Sequence, residues 1–156
     1  MGLVAALDLV LKNYPEPETG KRIKSAMIKS AGLDEAEIDA EAAKLQAWAE
    51  GKTKDDITAA LKGEGDSMLA DIAKSVKGDE WWMYSRFFGI GLIKLMDMVG
   101  VEQDMSVAYD VMENWVGTCL GKPFYTACVS YNIDCCCYLE IRRSPVELYL
   151  TPYFIS

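Results

Sequence analysis

The chain has 156 residues, of which 51% are apolar and 26% are charged, a balance typical of one folded globular domain and not of a disordered or fibrous chain. Its net charge of −8 excludes an electrostatically held nucleic acid as a partner. The chain contains no histidine, which excludes Ser-His-Asp and Cys-His nucleophiles and HExxH zinc sites. Most of the common hydrolase designs are therefore excluded.

The cysteines and the N-terminal residues indicate a soluble protein in a reducing compartment. The five cysteines are odd in number and lack the spacing of a disulfide framework. Residues 1–11 are apolar, but Asp8 interrupts them and no basic leader precedes them, so we expect no signal peptide. The longest apolar run is broken by Arg86, Lys94 and Asp97 before it reaches the roughly 18 residues of a membrane span.

Capping residues and glycines mark the predicted helices of the first hundred residues. Residues 2–13 form the first predicted helix, which ends at a proline pair because proline disfavours helical geometry in the residue before it. Asp34 begins the third with a capping box, and Gly51 ends it. The other predicted helices cover 19–30, 53–63, 66–78 and 79–100, and their boundaries follow the same pattern. The basic run on the second helix, Lys21, Arg22, Lys24 and Lys29, is interpreted as a solvated face.

Beyond Gly100 the helical pattern continues and then changes. Ser106 is predicted to cap a helix that ends at Gly117 or Gly121, and Pro123 to begin another that extends to Arg142. From residue 144 onward, the alternating and aromatic character fits a strand, an extended arm or a packed tail. The sequence therefore predicts one all-α domain of about eight helices over residues 1–143, followed by a C-terminal tail over 144–156.

An internal similarity suggests how these helices are arranged. Residues 2–10 align with residues 91–99, and the glycine, leucine, aspartate and valine positions are identical in the two copies. A break, a second helix, a turn containing leucine and glycine, and a third helix follow each copy. The repeat predicts two pseudo-equivalent lobes of three helices, packed around a central aromatic helix at 79–99.

This central helix contains most of the candidate functional residues. Its residues from Trp81 and Trp82 onward are aromatic and apolar nearly all round, so we expect the helix to be buried. A buried Arg86 needs an acceptor, for which Asp97 or Asp8 of the repeat-related helix are the candidates. Two glycines within the helix, at 89 and 91, predict that another helix crosses it closely.

The stretch from Tyr84 to Leu92, which begins with Tyr84-Ser85-Arg86, resembles the tyrosine-serine-arginine helix of the thylakoid formation / photosystem II biogenesis protein family of cyanobacteria and plastids. The helix at 2–10 and its Tyr-Pro-Glu exit at 14–16 are similar to another glycine-containing helix of that family. The resemblance covers residues 2–100 well and extends more thinly to about 131. It departs from the family at both ends, as expected for a trimmed, divergent copy, either a stand-alone paralogue or a phage-borne homologue.

The resemblance implies a non-enzymatic, all-helical protein that acts in photosystem II assembly and repair. It also implies an FtsH-type membrane protease or photosystem II assembly components as partners, and a peripheral location at the thylakoid membrane, in the cytoplasm or the plastid stroma. No cofactor is implied. The candidate interaction or structural residues are Trp81, Trp82, Tyr84, Ser85, Arg86, Asp97 and Asp8.

Two other functions remain open from the residues alone. The aromatic residues Trp81, Trp82, Phe87 and Phe88 fit a helical pocket for a pigment or another hydrophobic ligand. The cysteine cluster, Cys128, Cys135, Cys136 and Cys137, is a weak candidate for a metal site or a redox switch. Adjacent cysteines on a helix point about 100° apart and no CxxC pair exists, so buried, reduced thiols are the expectation for this cluster.

Overall fold

A computed structural model describes residues 1–102 and 104–124, apart from the side chain of residue 105. These residues form seven α-helices and a π-helical turn, and no β-strand occurs among them, which confirms the predicted all-α class. Apart from residues 123 and 124, the predicted helix 123–142 lies outside the described residues, as do the tail 144–156 and the boundary between them. The helices are α1 (Gly2–Leu11), α2 (Pro17–Ser30), α3 (Glu35–Ala49), α4 (Lys54–Leu61), α5 (Met68–Gly78), α6 (Arg86–Met98) and α7 (Met105–Met112), and the π-helical turn covers Glu113–Cys119.

Short polar side chains begin most of these helices. Asp34 accepts hydrogen bonds from the amides of Ala36 and Glu37 at the start of α3, and Thr53 forms a complete capping box with Asp56 at the start of α4. The predicted caps of α5 and α7 were each misplaced by one or two residues. Their N-caps are Ser67 and Asp104, whose side chains accept amide hydrogen bonds within the first turn.

Glycines in the left-handed conformation end α3, α4 and α6, as the sequence predicts. After α6, the amide of Val101 donates to the carbonyl of Met96 and that of Gly100 to Asp97, while Gly100 has a φ of +70°. This double hydrogen bond is a Schellman motif, which occupies carbonyl groups that the helix leaves without partners. The chain can therefore turn sharply toward α7 at this point.

Helices α1 and α6, which carry the two copies of the internal repeat, pack directly on each other. Gly2 and Gly91, which align in the repeat, meet at the crossing. A Cβ atom built on Gly91 would lie 3.5 Å from the Cα of Gly2, and one built on Gly2 would overlap the carbonyl oxygen of Phe87. The close crossing predicted from the glycines of α6 is therefore confirmed at Gly91.

The remaining helices enclose α6 or cover α1. The buried residues of α6 from Leu92 to Met96 form one core with residues of α3, α4, α5, α7 and the π-helical turn. Helices α2 and α3 contact α1 and each other, an arrangement consistent with a first lobe of three helices. The third helix of the predicted second lobe lies beyond residue 124, so the two-lobe arrangement stays a prediction.

Trp115 is the largest side chain of this core that is fully buried. Its indole nitrogen donates a hydrogen bond of 3.0 Å to the hydroxyl of Thr58 on α4, and that hydroxyl donates in turn to the carbonyl of Lys54. The ring thus fixes the π-helical turn against α4 through both packing and a buried polar contact. Among the described helices, none has both the length and the apolar character needed to cross a membrane.

Candidate interaction surface

The segment between α5 and α6, residues 79–85, is not helical, so the prediction of a helix from Asp79 was wrong over its first seven positions. Asp79 is the C-cap of α5, and its carboxylate accepts a 2.9 Å hydrogen bond from the amide of Trp81. Ser85 is the N-cap of α6 and accepts from the amide of Phe88. The Asp79 bond gives the backbone an alternative to a helix, and the Ser85 bond stabilises the first turn of α6, so the helix begins only after Ser85.

Three aromatic side chains of this region point inward. Trp82, Tyr84 and Phe88 are partly buried against the core, and their rings meet edge to face, with centroids 5.2 Å apart for Trp82 and Phe88 and 6.1 Å for Tyr84 and Phe88. Such edge-to-face pairs contribute about 0.5–1.5 kcal/mol beyond the area that they bury. The inward rings therefore anchor the backbone of the segment to the domain.

The side chains that neighbour these anchors in the chain point outward. Trp81 is 86% exposed, Met83 is 84% exposed and Phe87, in the first turn of α6, is 50% exposed. Arg86 lies between Met83 and Phe87 in the chain and is exposed as well. We refer to Trp81, Met83, Arg86 and Phe87 as the aromatic face.

The buried ion pair predicted for Arg86 is wrong. Arg86 is the first residue of α6 and is exposed, and its guanidinium forms no salt bridge with any described residue. Asp97 lies eleven residues further along the same helix, about 16 Å away at 1.5 Å per residue, which is too far for the two side chains to meet. Asp97 is partly buried near the C-terminal end of α6, apart from the aromatic face.

Asp8, the other predicted partner of Arg86, pairs with Lys24 instead. The ammonium nitrogen of Lys24 lies 2.9 Å from a carboxylate oxygen of Asp8 and 3.7 Å from one of Asp39, with 19% of the Lys24 side chain exposed. Partial burial lowers the pKa of Lys24, but the carboxylates of Asp8 and Asp39 outweigh it and raise the pKa overall. Lys24 thus joins α1, α2 and α3 and is not a solvated member of a basic run.

Replacing Arg86 by alanine should leave the stability of the protein nearly unchanged. The side chain is exposed and makes no ion pair within residues 1–102 and 104–124, and surface substitutions of this kind usually change the free energy of unfolding by no more than about 0.5 kcal/mol. Thermal unfolding followed by circular dichroism checks this expectation. A fall in the melting temperature comparable to that of a core substitution would contradict the exposed position of Arg86.

The sequence-predicted residues are therefore only partly brought together. Trp82, Tyr84 and Ser85 position the segment, whereas Trp81 and Arg86 are presented to solvent. Met83 was not predicted as a candidate, because residues 79–99 were interpreted as one buried helix. Residues 81–84 are all large, so no alternation in the sequence distinguishes the exposed position of Met83.

The two other candidate sites have separate outcomes. The structure divides the four proposed pigment-binding rings into an inward pair in mutual contact, Trp82 and Phe88, and an outward pair, Trp81 and Phe87.

The cysteine cluster at 128 and 135–137 lies outside the described residues. Within the described part of the chain, no group of three or more cysteine, aspartate or glutamate side chains is placed to hold a metal ion. Burial raises the pKa of the Cys119 thiol, which disfavours its reactive thiolate form.

The fold is all-α, and the segment before α6 packs some of its large side chains against the core and presents others to solvent. Comparison with known sequences gives the family. The sequence model described as "Thylakoid formation protein" matches residues 1–130, and the chain belongs to this family. The family predicted from the Tyr84-Ser85-Arg86 stretch is thereby confirmed.

The curated relatives that match are plant proteins. The chain is 30% identical over 100 residues to Protein THYLAKOID FORMATION 1, chloroplastic, of Arabidopsis thaliana, covering 63% of this chain and 33% of the relative. It is 28% identical over 105 residues to the THYLAKOID FORMATION1 protein of Oryza sativa subsp. japonica, covering 66% and 37% respectively. The chain thus spans about a third of the length of these relatives. No solved structure matches it.

Proposed function

We propose that this chain acts in thylakoid biogenesis as a non-enzymatic protein-interaction factor. Its membership of the thylakoid formation family supports the process, and the relatives bear names that place them in the chloroplast. The aromatic face is the observation that supports interaction as the mode of action. Tryptophan, methionine, phenylalanine and arginine are enriched at protein interfaces, and large apolar side chains that are more than 80% exposed have no role in the core.

The proposed partner is an FtsH-type protease of the thylakoid membrane, in the context of photosystem II biogenesis and repair. Its basis is the family resemblance of the Tyr84 to Leu92 stretch. Under this proposal the protein lies at the thylakoid surface, in the plastid stroma or the cyanobacterial cytoplasm, and is held there by its partner.

Affinity capture from detergent-solubilised cyanobacterial thylakoid membranes tests this function. The tagged chain serves as bait, and FtsH and photosystem II subunits are quantified by immunoblot. We expect FtsH subunits to be enriched over the same membranes incubated with the tag alone. Recovery at the level of the tag control would contradict the proposed partner.

A variant with serine at Trp81, Met83 and Phe87 tests the role of the aromatic face in the same assay. Its matched control replaces Val10 and Met27 by serine, since these side chains are also apolar and exposed, at 66% and 52%, but lie on α1 and α2. Capture should fall for the first variant and persist for the second. Equal capture by the two variants would show that the aromatic face is not the interaction surface.

A further inference from the structure

The backbone that carries the aromatic face is held in place from both sides. The indole of Trp82 and the rings of Tyr84 and Phe88 fix it to the core, and the ammonium group of Lys122 donates a hydrogen bond to the carbonyl of Asp79. A fixed backbone reduces the conformational entropy that a partner must remove on binding. The outward side chains are therefore presented in a geometry that is already formed.

The positive charge of Arg86 is not stabilised by the helix or by the other residues that the structure describes. It occupies the first position of α6, where the helix dipole disfavours a cation, and no acidic residue lies in the first turn of that helix. Its guanidinium has no carboxylate partner among residues 1–102 and 104–124. An exposed guanidinium can bind a carboxylate through two parallel hydrogen bonds, and Arg86 neighbours exposed apolar residues in the chain.

We propose that the aromatic face receives a peptide segment of a partner protein in which an acidic residue neighbours large apolar side chains. The carboxylate pairs with Arg86, and the apolar side chains cover Trp81, Met83 and Phe87. This inference rests on the proposed function, since it assigns the chemistry of the partner to the same surface.

The charges around the face favour such a segment over a lipid surface. Asp79 and Glu80 precede Trp81, so residues 79–87 carry two carboxylates and one guanidinium, and the whole chain has a net charge of −8. A surface of many anionic headgroups would be repelled by this distribution. A single carboxylate placed opposite Arg86 gains the attraction and brings only one negative charge toward this distribution.

A photo-crosslinking amino acid, p-benzoylphenylalanine, at position 83 tests the inference. Met83 is 84% exposed, so the replacement leaves the core unchanged. The purified variant is irradiated with detergent-solubilised cyanobacterial thylakoid membranes, and the crosslinked peptide is identified by mass spectrometry. We expect a peptide with aspartate or glutamate within a few residues of an apolar attachment site. A lipid adduct alone, a segment without an acidic residue, or no crosslink at all would overturn the proposal.

The same crosslinking experiment is repeated with a changed charge at position 86. Arg86→Glu should lower the crosslinking yield by about tenfold or more, because it removes a charge-assisted pair and adds repulsion, whereas Arg86→Lys should retain more of the yield. Glutamate suits the start of a helix, so the melting temperature of Arg86→Glu should not fall. A yield that does not depend on Arg86→Glu would overturn the role of the carboxylate.

These results are separable from the test of the partner's identity. An acidic, apolar crosslinked segment from a protein other than an FtsH-type protease would leave this inference standing and contradict the proposed partner. If FtsH subunits are captured equally by the parent chain and by Arg86→Glu, and the crosslinked segment is not acidic, the proposed partner would stand. This inference would then be contradicted.

Discussion

Replacing Trp115 by alanine should lower the free energy of unfolding by about 3–5 kcal/mol, as is typical for removing a buried aromatic side chain. Trp115 has no exposed surface, and the substitution also removes the donor to Thr58. Single domains are stabilised by about 5–15 kcal/mol in total, so this change removes a large part of the margin. Urea unfolding followed by circular dichroism measures the loss.

Trp115→Phe is the matched control for this substitution. It keeps an aromatic ring in the core, although the phenyl ring is smaller than the indole, and it removes the N–H donor. The Thr58 hydroxyl still has its bond to the carbonyl of Lys54. We therefore expect a smaller loss, of about 1–2 kcal/mol. Equal losses for alanine and phenylalanine would contradict the tight packing of this ring between the π-helical turn and α4.

Replacing Gly2 by alanine should lower the melting temperature, whereas the same replacement at Gly91 should not. The new Cβ atom on Gly2 would overlap the backbone carbonyl of Phe87, which cannot move without shifting α6. Steric overpacking of this kind costs about 1–3 kcal/mol, or a decrease of several degrees. At Gly91 the added methyl group would lie 3.5 Å from the Cα of Gly2, an ordinary contact.

The Gly91→Ala variant is thus the internal control for Gly2→Ala. Alanine favours a helix interior over glycine by up to about 1 kcal/mol, so its melting temperature should stay the same or rise. Differential scanning calorimetry of the two variants measures both effects. A stable Gly2→Ala variant, or a destabilised Gly91→Ala variant, would contradict the geometry of the α1–α6 crossing.

The features that could be predicted from the sequence were those set by neighbouring residues. Asp34 and Thr53 begin helices, and Gly51 and Gly100 end them, because caps and left-handed turns depend on a few adjacent positions. A close crossing of α6 was also predictable from the glycines within it, since glycine costs stability in a helix interior. The structure places the position that excludes a side chain at Gly2, while Gly91 leaves room for a methyl group.

The candidate site could be located but its geometry could not be predicted. The run from Trp81 to Phe88 is apolar enough to fit a buried helix, and Asp79 can end one helix as readily as it can begin another. Only the tertiary position of the inward rings shows that the chain is extended before Ser85. The partner of Asp8 was likewise unpredictable, because Lys24 reaches it from another helix.

Direct binding of the purified chain to a purified FtsH-type thylakoid protease complex tests the central claim most directly. The dissociation constant is measured by biolayer interferometry for the parent chain and for the variant with serine at Trp81, Met83 and Phe87. We expect saturable binding by the parent chain and an increase in dissociation constant of at least about tenfold for the variant, since the loss of interface anchors typically costs more than 1 kcal/mol each. Absence of binding by the parent chain, or equal affinities for the two proteins, would contradict the claim that this chain acts through its aromatic face on such a protease.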